Sequence, residues 1–306
     1  MTNQTTLTLM WWNLYNLHDD IDDPRTNDLV KTTRIYHRDL REVAEIVDRV
    51  MPVPDVIGCG EVENIGVMRD LAQDIHWQPT HRSYHCDQHI ESRDPRGIDI
   101  GALIRSDGPL SQVKVSAYWP NDPSVVRPLV VIDAVMAGEP PRPMTIVLVH
   151  AKSRRSGPCH IDDPMPGSQL RYAYGAALKR LAAERGAEGI PLIVLGDLND
   201  EPDSLSLCVA AGAMIGRPEP GAAVATHLYN LAYEGRADAK GTCTHNEEWL
   251  FFDQVLVNGV ALLPELGGFE IVGRQRIIAD DPLLYQGQPN RWYSDHLPVM
   301  LTLRRV

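Results

Sequence analysis

Cysteine is scarce in this sequence, and the cysteines show no pairing pattern. There are five, an odd number without C-x-x-C spacing: Cys59, Cys86, Cys159, Cys208 and Cys243. The pattern indicates neither a disulfide framework nor a structural zinc site. We expect reduced and mostly buried thiols.

Long apolar runs are also missing. No stretch approaches the roughly 20 apolar residues that a membrane-spanning helix needs. The first residues lack the basic segment and the apolar stretch of a signal peptide. We therefore expect a cytoplasmic protein, although a secreted protein whose signal peptide had been removed would show the same sequence. No obligate protein partner is evident from the sequence.

Basic and aromatic residues are few. The 29 Lys and Arg residues face 41 Asp and Glu residues, which gives a formal net charge of −12, and aromatic residues make up 6% of the chain. This balance argues against a surface that binds a duplex through many phosphate contacts and against a long stacking platform for single strands. A local basic patch beside a cleft, and clustered acids that bind a divalent cation, remain compatible with it.

Several catalytic signatures are absent. The chain has no G-x-S-x-G, Walker A, G-x-G-x-x-G or H-E-x-x-H motif, which argues against α/β-hydrolase, nucleotide-switch, dehydrogenase and zincin functions. The segment Ser294-Asp295-His296 is a poor catalytic triad, because neighbouring side chains do not easily form the required line of nucleophile, base and orienting acid.

The apolar patterns that are present predict an α/β protein. Short apolar runs with strand character alternate with helical stripes, and three runs between residues 113 and 149 are separated by Pro, Gly and Asn breaks. Such spacing is typical of an antiparallel meander. We expect a single domain over residues 1–306, built from two packed sheets between helical layers.

Polar residues stand where several apolar runs end. Asn13, Glu61 and His150 each follow such a run, and Gly196-Asp197-Leu198-Asn199 follows another. Because α/β proteins tend to bind ligands at strand ends, we expect these residues to share one site. Taken singly, each has an ordinary alternative, which is a turn or helix cap for Asn13 and Asp197, a solvated acid for Glu61 and a satisfied histidine for His150.

Together these residues match the needs of phosphoester hydrolysis. Glu61 and Asp295 offer hard oxygen ligands that suit Mg²⁺ or Mn²⁺. Asp197 is expected to orient or deprotonate the attacking water. Asn199, two residues on, is expected to hold that water or a phosphoryl oxygen.

Two histidines and an acid complete the expected catalytic set. His150 and His296 can donate hydrogen bonds to phosphoryl oxygens on which negative charge builds up. Asp253 interrupts an apolar strand and therefore needs a partner. We expect it to fix the tautomer of His296 and to raise its basicity.

A basic group near these motifs is expected to bind the substrate, with solvated loop residues as the alternative. Its members are Arg96, Lys152, Arg154 and Arg155. The polar, histidine-rich loop from Gln78 to Arg96 is expected to overhang the cleft.

The order of the motifs resembles that of the endonuclease/exonuclease/phosphatase superfamily, which includes DNase I-like nucleases, abasic-site endonucleases, sphingomyelinases and inositol-polyphosphate phosphatases. The matching segments span residues 7 to 303 and are Trp12-Asn13, Gly60-Glu61-Val62-Glu63-Asn64, Arg96-Gly97-Ile98-Asp99, His150, Gly196-Asp197-Leu198-Asn199, Asp253-Gln254-Val255-Leu256-Val257 and Ser294-Asp295-His296-Leu297-Pro298-Val299. The resemblance implies a four-layer α/β sandwich with mainly antiparallel sheets, and phosphoester hydrolysis that depends on Mg²⁺ or a similar ion. It adds Asn13 to the metal ligands beside Glu61 and Asp295, and otherwise agrees with the roles given above.

Two positions depart from the family pattern. Gly60 stands where a Gln usually precedes the metal-binding Glu, and Tyr15 stands where some DNA-repair members carry an acid, which argues against abasic-site specificity. The leading hypothesis is a phosphodiesterase or nuclease whose substrate is a phosphoester, with nucleic acid among the candidates. The alternatives are a phosphomonoesterase acting on a small metabolite or lipid headgroup, and a catalytically silent binding module on the same fold.

Overall fold

The structure is a computed structural model that describes residues 5–154, 167–263 and 269–306. Within these residues the α-helices are α1 (Thr33–Arg49), α2 (Ile65–His76) and α3 (Ser168–Ala187). A π-helical turn covers Ser206–Ala210, and 3-10 turns cover Ala232–Ala237 and Gly259–Leu262. The strands of the described residues are, in chain order, β1 (Thr6–Leu17), β2 (Val56–Val62), β3 (Tyr84–His85), β4 (Asp99–Arg105), β5 (Leu110–Tyr118), β6 (Leu129–Met136), β7 (Arg142–His150), β8 (Leu192–Asp197), β9 (Ala213–Ile215), β10 (Leu228–Asn230), β11 (Cys243–His245), β12 (Glu248–Leu250), β13 (Asp253–Asn258), β14 (Phe269–Ile271), β15 (Arg276–Ile277), β16 (Leu284–Tyr285), β17 (Gln288–Pro289) and β18 (Val299–Arg305).

Two seven-stranded sheets form the body of the protein. The first has the order β14-β18-β1-β2-β4-β3, with β15 also paired to β18, and the second has the order β5-β6-β7-β8-β13-β10-β9. Most neighbouring strands are antiparallel, and the parallel pairs among the described strands are β1 with β2, β7 with β8 and β9 with β10. The two sheets pack face to face and carry helices on their outer sides. This confirms the expected α/β sandwich.

The core between the sheets is closely packed. Trp11 of β1 is fully buried and belongs to the same apolar cluster as Leu148 of β7. A Cβ atom on Gly58 of β2 would lie 2.7 Å from Leu148 Cδ2 and 2.9 Å from Trp11 Cε3. Real side chains do not approach so closely. Glycine is therefore required at residue 58 for the sheets to meet at this distance.

The helices form because their sequences combine a cap with an apolar stripe. The side chain of Thr32 accepts a hydrogen bond from the Ile35 backbone N–H at the start of α1, and that of Asn64 accepts one from the Val67 N–H at the start of α2. The buried residues of α1 recur at helical spacing: Tyr36, Leu40, Val43, Ala44, Ile46 and Val47. These stripes hold α1 and α2 on the first sheet, while α3 packs on the second sheet.

Two strands run past the residues at which the sequence suggested that they end. Tyr15 and Asn16 of β1 have positive φ angles of 53° and 58°, and the register between β1 and β2 shifts after Asn13. In β2, Glu61 has a φ of 58°, and the register with β4 shifts between Gly60 and Val62. The strands thus continue through bulges, and a bulge changes the direction in which the side chains beside it point.

Among the helices of the described residues, none is both long and apolar enough to span a membrane.

Candidate active site

A cavity of about 650 Å³ brings the two sheets' polar residues together. Most of the residues predicted from the sequence line it: Glu61, Arg96, His150, Lys152, Arg154, Asp197, Asn199, Asp295 and His296. Asn13 and Asp253 lie behind this lining and contact residues that belong to it. Arg155 lies outside the described residues.

Three of the polar residues lie side by side on neighbouring strands of the second sheet. His150, the last residue of β7, is in register with Asp197, the last residue of β8. Asp253, the first residue of β13, is in register with Asp197 on its other side. All three are buried. The sheet therefore presents an imidazole and two carboxylates in one row at the ends of three neighbouring strands.

Asp197 occupies the centre of this row and has fixed neighbours. Its Oδ1 accepts a hydrogen bond from the Asn199 backbone N–H at 2.8 Å, and its Oδ2 accepts one from Asn13 Nδ2 at 3.2 Å. The Nε2 atoms of His150 and His296 lie 3.6 Å and 4.0 Å from Oδ2. These contacts hold the carboxylate in one orientation.

The surroundings of Asp197 also change its acidity. Burial disfavours the charged form and outweighs the attraction of His296, while Asp253 adds repulsion. Together these effects raise the pKa of Asp197 to about 7. A carboxyl with this pKa can accept a proton near neutral pH, as a general base must.

His296 is paired with Asp253, as the sequence predicted. His296 Nδ1 lies 2.6 Å from Asp253 Oδ2, and the other oxygen, Oδ1, accepts a hydrogen bond from Trp11 Nε1 at 2.8 Å. Burial opposes the charge on His296, but the carboxylates of Asp253, Asp197 and Asp295 outweigh it and hold the pKa of His296 well above its ordinary value. His296 is therefore a cation that faces the cavity.

His150 has the opposite electrostatic character. Its burial, with the nearby Arg127 guanidinium, holds its pKa well below the ordinary value for histidine, so this imidazole is neutral. Its Nε2 lies 3.7 Å from Glu61 Oε1. His150 and His296 thus differ in charge at neutral pH.

The oxygen donors at the cavity fit a hard divalent cation. The side chains of Glu61 and Asp295 are each 13% exposed and line the cavity. Glu61 Oε2 accepts a hydrogen bond from the Asn16 N–H at 3.1 Å, which orients the carboxylate. Carboxylate oxygens of this kind suit Mg²⁺ or Mn²⁺. The part of Asn13 as a further ligand stays a prediction, because its Oδ1 accepts from the Tyr15 N–H and its Nδ2 donates to Asp197.

Closely spaced groups of His, Cys, Asp and Glu occur at two other places in the described residues. One is Cys243, Asp253 and His296, and the other is His89, Glu91 and Asp99, with the ligand atoms of each group within 4.8 Å of one another. Glu61 and Asp295 belong to neither of them.

Two arginines of the cavity that the sequence predicted as substrate contacts are paired with acids. Arg96 pairs with Asp94, with Nε 3.2 Å from Oδ1. Arg154 pairs with Asp200, donates to the Asn199 carbonyl at 3.1 Å and lies 4.8 Å from the centre of the Phe252 ring. Arg154 therefore lines the cavity and also stabilises the segment that carries Asn199 and Asp200.

Arg127 is a site residue that the sequence did not reveal. It is 2% exposed, its Nε and Nη2 donate to the carbonyls of His150 and Ala151 at 3.0 Å each, and its Nη1 pairs with Asp94. Arg127 thereby joins the end of β7 to the loop that carries Arg96. Its partners are distant in the sequence, and no local pattern marks it.

The structure explains why Gly60 replaces the Gln that usually precedes the metal-binding Glu in the family. A Cβ atom on Gly60 would lie 2.8 Å from Trp11 Cζ2, so the indole of Trp11 fills the space that a side chain at residue 60 would need. The same indole donates to Asp253. The large side chain of Trp11 therefore requires a residue without a side chain at position 60.

Ser294 has a supporting role in the site. Its Oγ donates to the Asn13 carbonyl at 2.6 Å and accepts from the His296 N–H at 3.0 Å. These bonds hold the segment before β18 against β1. They agree with the rejection of Ser294 as a nucleophile.

The expectation that the loop from Gln78 to Arg96 overhangs the cleft was wrong for most of its length. The loop contains β3, which pairs with β4 at the edge of the first sheet. Its histidines contact local groups, as when His89 Nε2 lies 3.0 Å from Asp99 Oδ2. The loop lines the cavity only through residues 94–96.

A family model identifies the family of this chain. The model of the Endonuclease/Exonuclease/phosphatase family matches residues 8–305. The chain belongs to this family. Membership supports a phosphoester hydrolase of the nuclease or phosphatase type, and family enzymes typically depend on a divalent metal ion.

Solved structures show the same fold at low sequence identity. Truncated TDP2 of Caenorhabditis elegans is 15% identical with a TM-score of 0.58, covering 98% of this chain and 97% of that one. TDP2 of D. rerio in complex with a single-strand DNA product is 14% identical with a TM-score of 0.59, covering 97% and 98%. A mannosyl-6-phosphatase of Bacteroides thetaiotaomicron is 16% identical with a TM-score of 0.56, covering 97% and 99%. Comparison with curated proteins gave no match.

Proposed function

We propose that this family member is a Mg²⁺- or Mn²⁺-dependent phosphodiesterase that hydrolyses its substrate by in-line attack of a water molecule. The observation that carries the proposal is the meeting of Asp197, His296 and Glu61 at one cavity. A proton acceptor, a cation and a hard metal ligand are the groups that this reaction needs.

Asp197 is the proposed general base. Its pKa of about 7 lets it take a proton from water, and its hydrogen bonds from Asn13 and the Asn199 N–H fix the direction of the carboxylate. The Asn199 side chain donates to the Ala151 carbonyl at 3.2 Å, which positions its amide beside Asp197. Asn199 is proposed to hold the attacking water or a phosphoryl oxygen.

The two histidines are proposed to bind the phosphate with different charges. The cationic His296, held by Asp253, stabilises negative charge that builds up on a phosphoryl oxygen. The neutral His150 donates one hydrogen bond. When bound, the metal ion neutralises charge on the phosphoryl and leaving oxygens. Glu61 and Asp295, with Asn13, are the residues that would hold it.

The charge balance of the cavity favours a diester. Three of its arginines are paired with acids: Arg96 and Arg127 with Asp94, and Arg154 with Asp200. A diester phosphate carries one negative charge, whereas a monoester carries close to two at neutral pH. The lining as a whole carries four acids and four Lys or Arg residues, and a site with its cations matched in this way suits the singly charged group. Arg96 and Lys152 are the proposed contacts to the rest of the substrate.

Relatives with this fold act on different phosphoesters. The D. rerio TDP2 structure contains a single-strand DNA product, and the Bacteroides protein is a mannosyl-6-phosphatase. The fold alone therefore does not choose the substrate. A phosphomonoesterase is the second candidate, because the net charge of −12 disfavours a long polyanionic substrate.

A substrate panel tests the proposal. Bis-p-nitrophenyl phosphate, p-nitrophenyl phosphate, plasmid DNA and RNA are assayed in parallel with Mg²⁺ or with EDTA. We expect Mg²⁺-dependent cleavage of the diesters in preference to the monoester. Preference for the monoester would favour the second candidate, and activity that survives EDTA would refute metal dependence.

Two variants connect the activity to the site. Asp197→Asn and His296→Ala should abolish turnover while their thermal unfolding stays cooperative. Asp87→Asn, which removes an acid that is 80% exposed, is the matched control and should retain activity. Wild-type rates in the Asp197 or His296 variant would refute the assignment.

A further inference from the structure

We propose that Cys243, Asp253 and His296 form a second metal site that takes a thiol-binding ion such as Zn²⁺, and that an ion bound there inhibits the enzyme. Its ligands differ from the oxygen ligands Glu61 and Asp295, and it adjoins them, since His296 Nε2 lies 3.9 Å from Asp295 Oδ1. It goes beyond the proposed hydrolysis, because it assigns a regulatory ligand to the same cavity.

The spacing of the three side chains suits a tetrahedral ion. Their ligand atoms, a thiol sulfur, an imidazole nitrogen and a carboxylate oxygen, lie within 4.8 Å of one another. Zinc binds sulfur at about 2.3 Å and nitrogen or oxygen at about 2.0 Å, so its ligand atoms sit roughly 3.5 Å apart. Side-chain rotations that bring these atoms closer by up to about 1.3 Å would therefore place three of the four ligands of a tetrahedral ion.

The backbone already holds these residues together. Cys243 and His296 face each other in an isolated antiparallel bridge, and the Leu297 N–H donates to the Thr242 carbonyl at 2.7 Å. The Asp253 N–H donates to Thr242 Oγ1 at 3.0 Å. Three segments of the chain are thus fixed around Thr242. A site whose ligands are positioned before the ion arrives loses little conformational freedom on binding.

An ion can reach this site through the cavity. Cys243 and His296 both line the cavity, while Asp253 lies directly behind His296. On the side that faces the cavity, water would take the fourth coordination position, as in zinc sites with three protein ligands.

The chemistry of the donors separates the two sites. Glu61 and Asp295 offer oxygen only, which suits Mg²⁺, whereas thiolate and imidazole ligands favour Zn²⁺. Burial, followed by the repulsion of Asp253 and Asp197, raises the pKa of the Cys243 thiol well above its ordinary value. The thiol therefore stays protonated and inert until a cation coordinates it, when the sulfur releases its proton.

Binding at this site would inhibit hydrolysis through His296. Coordination by Nδ1 breaks the 2.6 Å contact with Asp253, and coordination by Nε2 removes the nitrogen that faces Asp197. In either case the imidazole loses the orientation or the free nitrogen with which it would donate a hydrogen bond to the phosphate.

Cobalt(II) absorption is the primary test, because a cobalt–thiolate bond produces a charge-transfer band in the near ultraviolet whether or not the protein hydrolyses anything. We expect Co²⁺, added in the presence of saturating Mg²⁺, to give this band with the wild type and with Cys208→Ser. Cys243→Ser should lose the band and keep the wild-type circular dichroism. A band that persists in Cys243→Ser, or that is lost in Cys159→Ser instead, would overturn the proposal, as would its absence from the wild type.

Zinc inhibition is the second measurement. Each variant's rate at saturating Mg²⁺ is divided by its own rate without zinc, so that changes in basal activity cancel. We expect Cys243→Ser to need a zinc concentration higher by about tenfold or more for half inhibition, because losing a ligand costs at least as much as losing an outer partner. Equal sensitivity of Cys243→Ser and Cys208→Ser would count against the site.

Discussion

The Nδ1 atom of His296 lies 2.6 Å from Oδ2 of Asp253. The contact joins a fully buried carboxylate to an imidazole at the cavity, and Trp11 occupies the second carboxylate oxygen. Both carboxylate oxygens of Asp253 therefore have a partner, and one of these partners is His296. The charge state and orientation of the proposed phosphate-binding histidine depend on one buried acid.

Asp253→Asn should lower kcat/KM by about 100-fold, since an amide neither stabilises the imidazolium nor enforces the same tautomer. Steady-state kinetics on the preferred substrate measures the effect. The amide keeps the size of the side chain, so cooperative unfolding should be retained. Unchanged kinetics in a folded variant would show that the pair has no part in the reaction.

Glu61→Gln should raise the Mg²⁺ concentration needed for half-maximal activity by at least about tenfold, because it removes the charge of the principal proposed ligand. Glu63→Gln is the matched control. Glu63 is buried, outside the cavity lining, and burial raises its pKa to about 7. Its variant should leave the metal requirement unchanged, and equal effects of the two substitutions would contradict the assignment.

Asp94→Asn should destabilise the protein by about 3 kcal/mol at neutral pH, because it leaves the buried Arg127 without its acidic partner. Burial opposes the charge on Asp94, but Arg96 and Arg127 outweigh it and lower its pKa below the ordinary value. A carboxylate with a depressed folded pKa stabilises above its unfolded pKa, and this contribution disappears as the pH falls through the folded pKa. Urea unfolding from pH 7 to pH 3 should therefore show a difference between wild type and variant that shrinks below about pH 4. A difference independent of pH would argue against the ion pair.

Gly60→Ala should destabilise the protein by about 1–3 kcal/mol, because its Cβ would overlap the Trp11 indole. In a Trp11→Leu background the same substitution should cost less, since the smaller side chain vacates that space. Chemical unfolding of the four proteins gives the coupling energy between the two positions. Additive effects would show that the indole does not restrict residue 60.

The parts of this structure that follow from local patterns were predictable. The apolar stripe from Tyr36 to Val47 indicated α1, and the apolar run from Thr145 to Val149 indicated β7. The meeting of Glu61, His150 and Asp197 followed from their positions at strand ends. Their chemical roles stay predictions until the variants are measured.

The remaining features depend on contacts between distant segments, which no local pattern reports. Arg127 has its partners at residues 94, 150 and 151, and Cys243 at the start of β11 approaches His296 through an isolated bridge to the segment before β18. The bulges at Tyr15 and Glu61 were missed because apolar alternation shows that a strand exists and not how it ends. Arg154 was expected at the substrate, and its pairing with Asp200 emerged only from the fold.

The row of His150, Asp197 and Asp253 makes activity a reporter of strand alignment during folding. A slip of one residue between β8 and either neighbour would move Asp197 out of the row and turn side chains to the opposite face. Such a molecule would keep nearly the same strand content, so circular dichroism would not distinguish it. Recovered turnover after refolding therefore counts the molecules in which three strands have found their native partners.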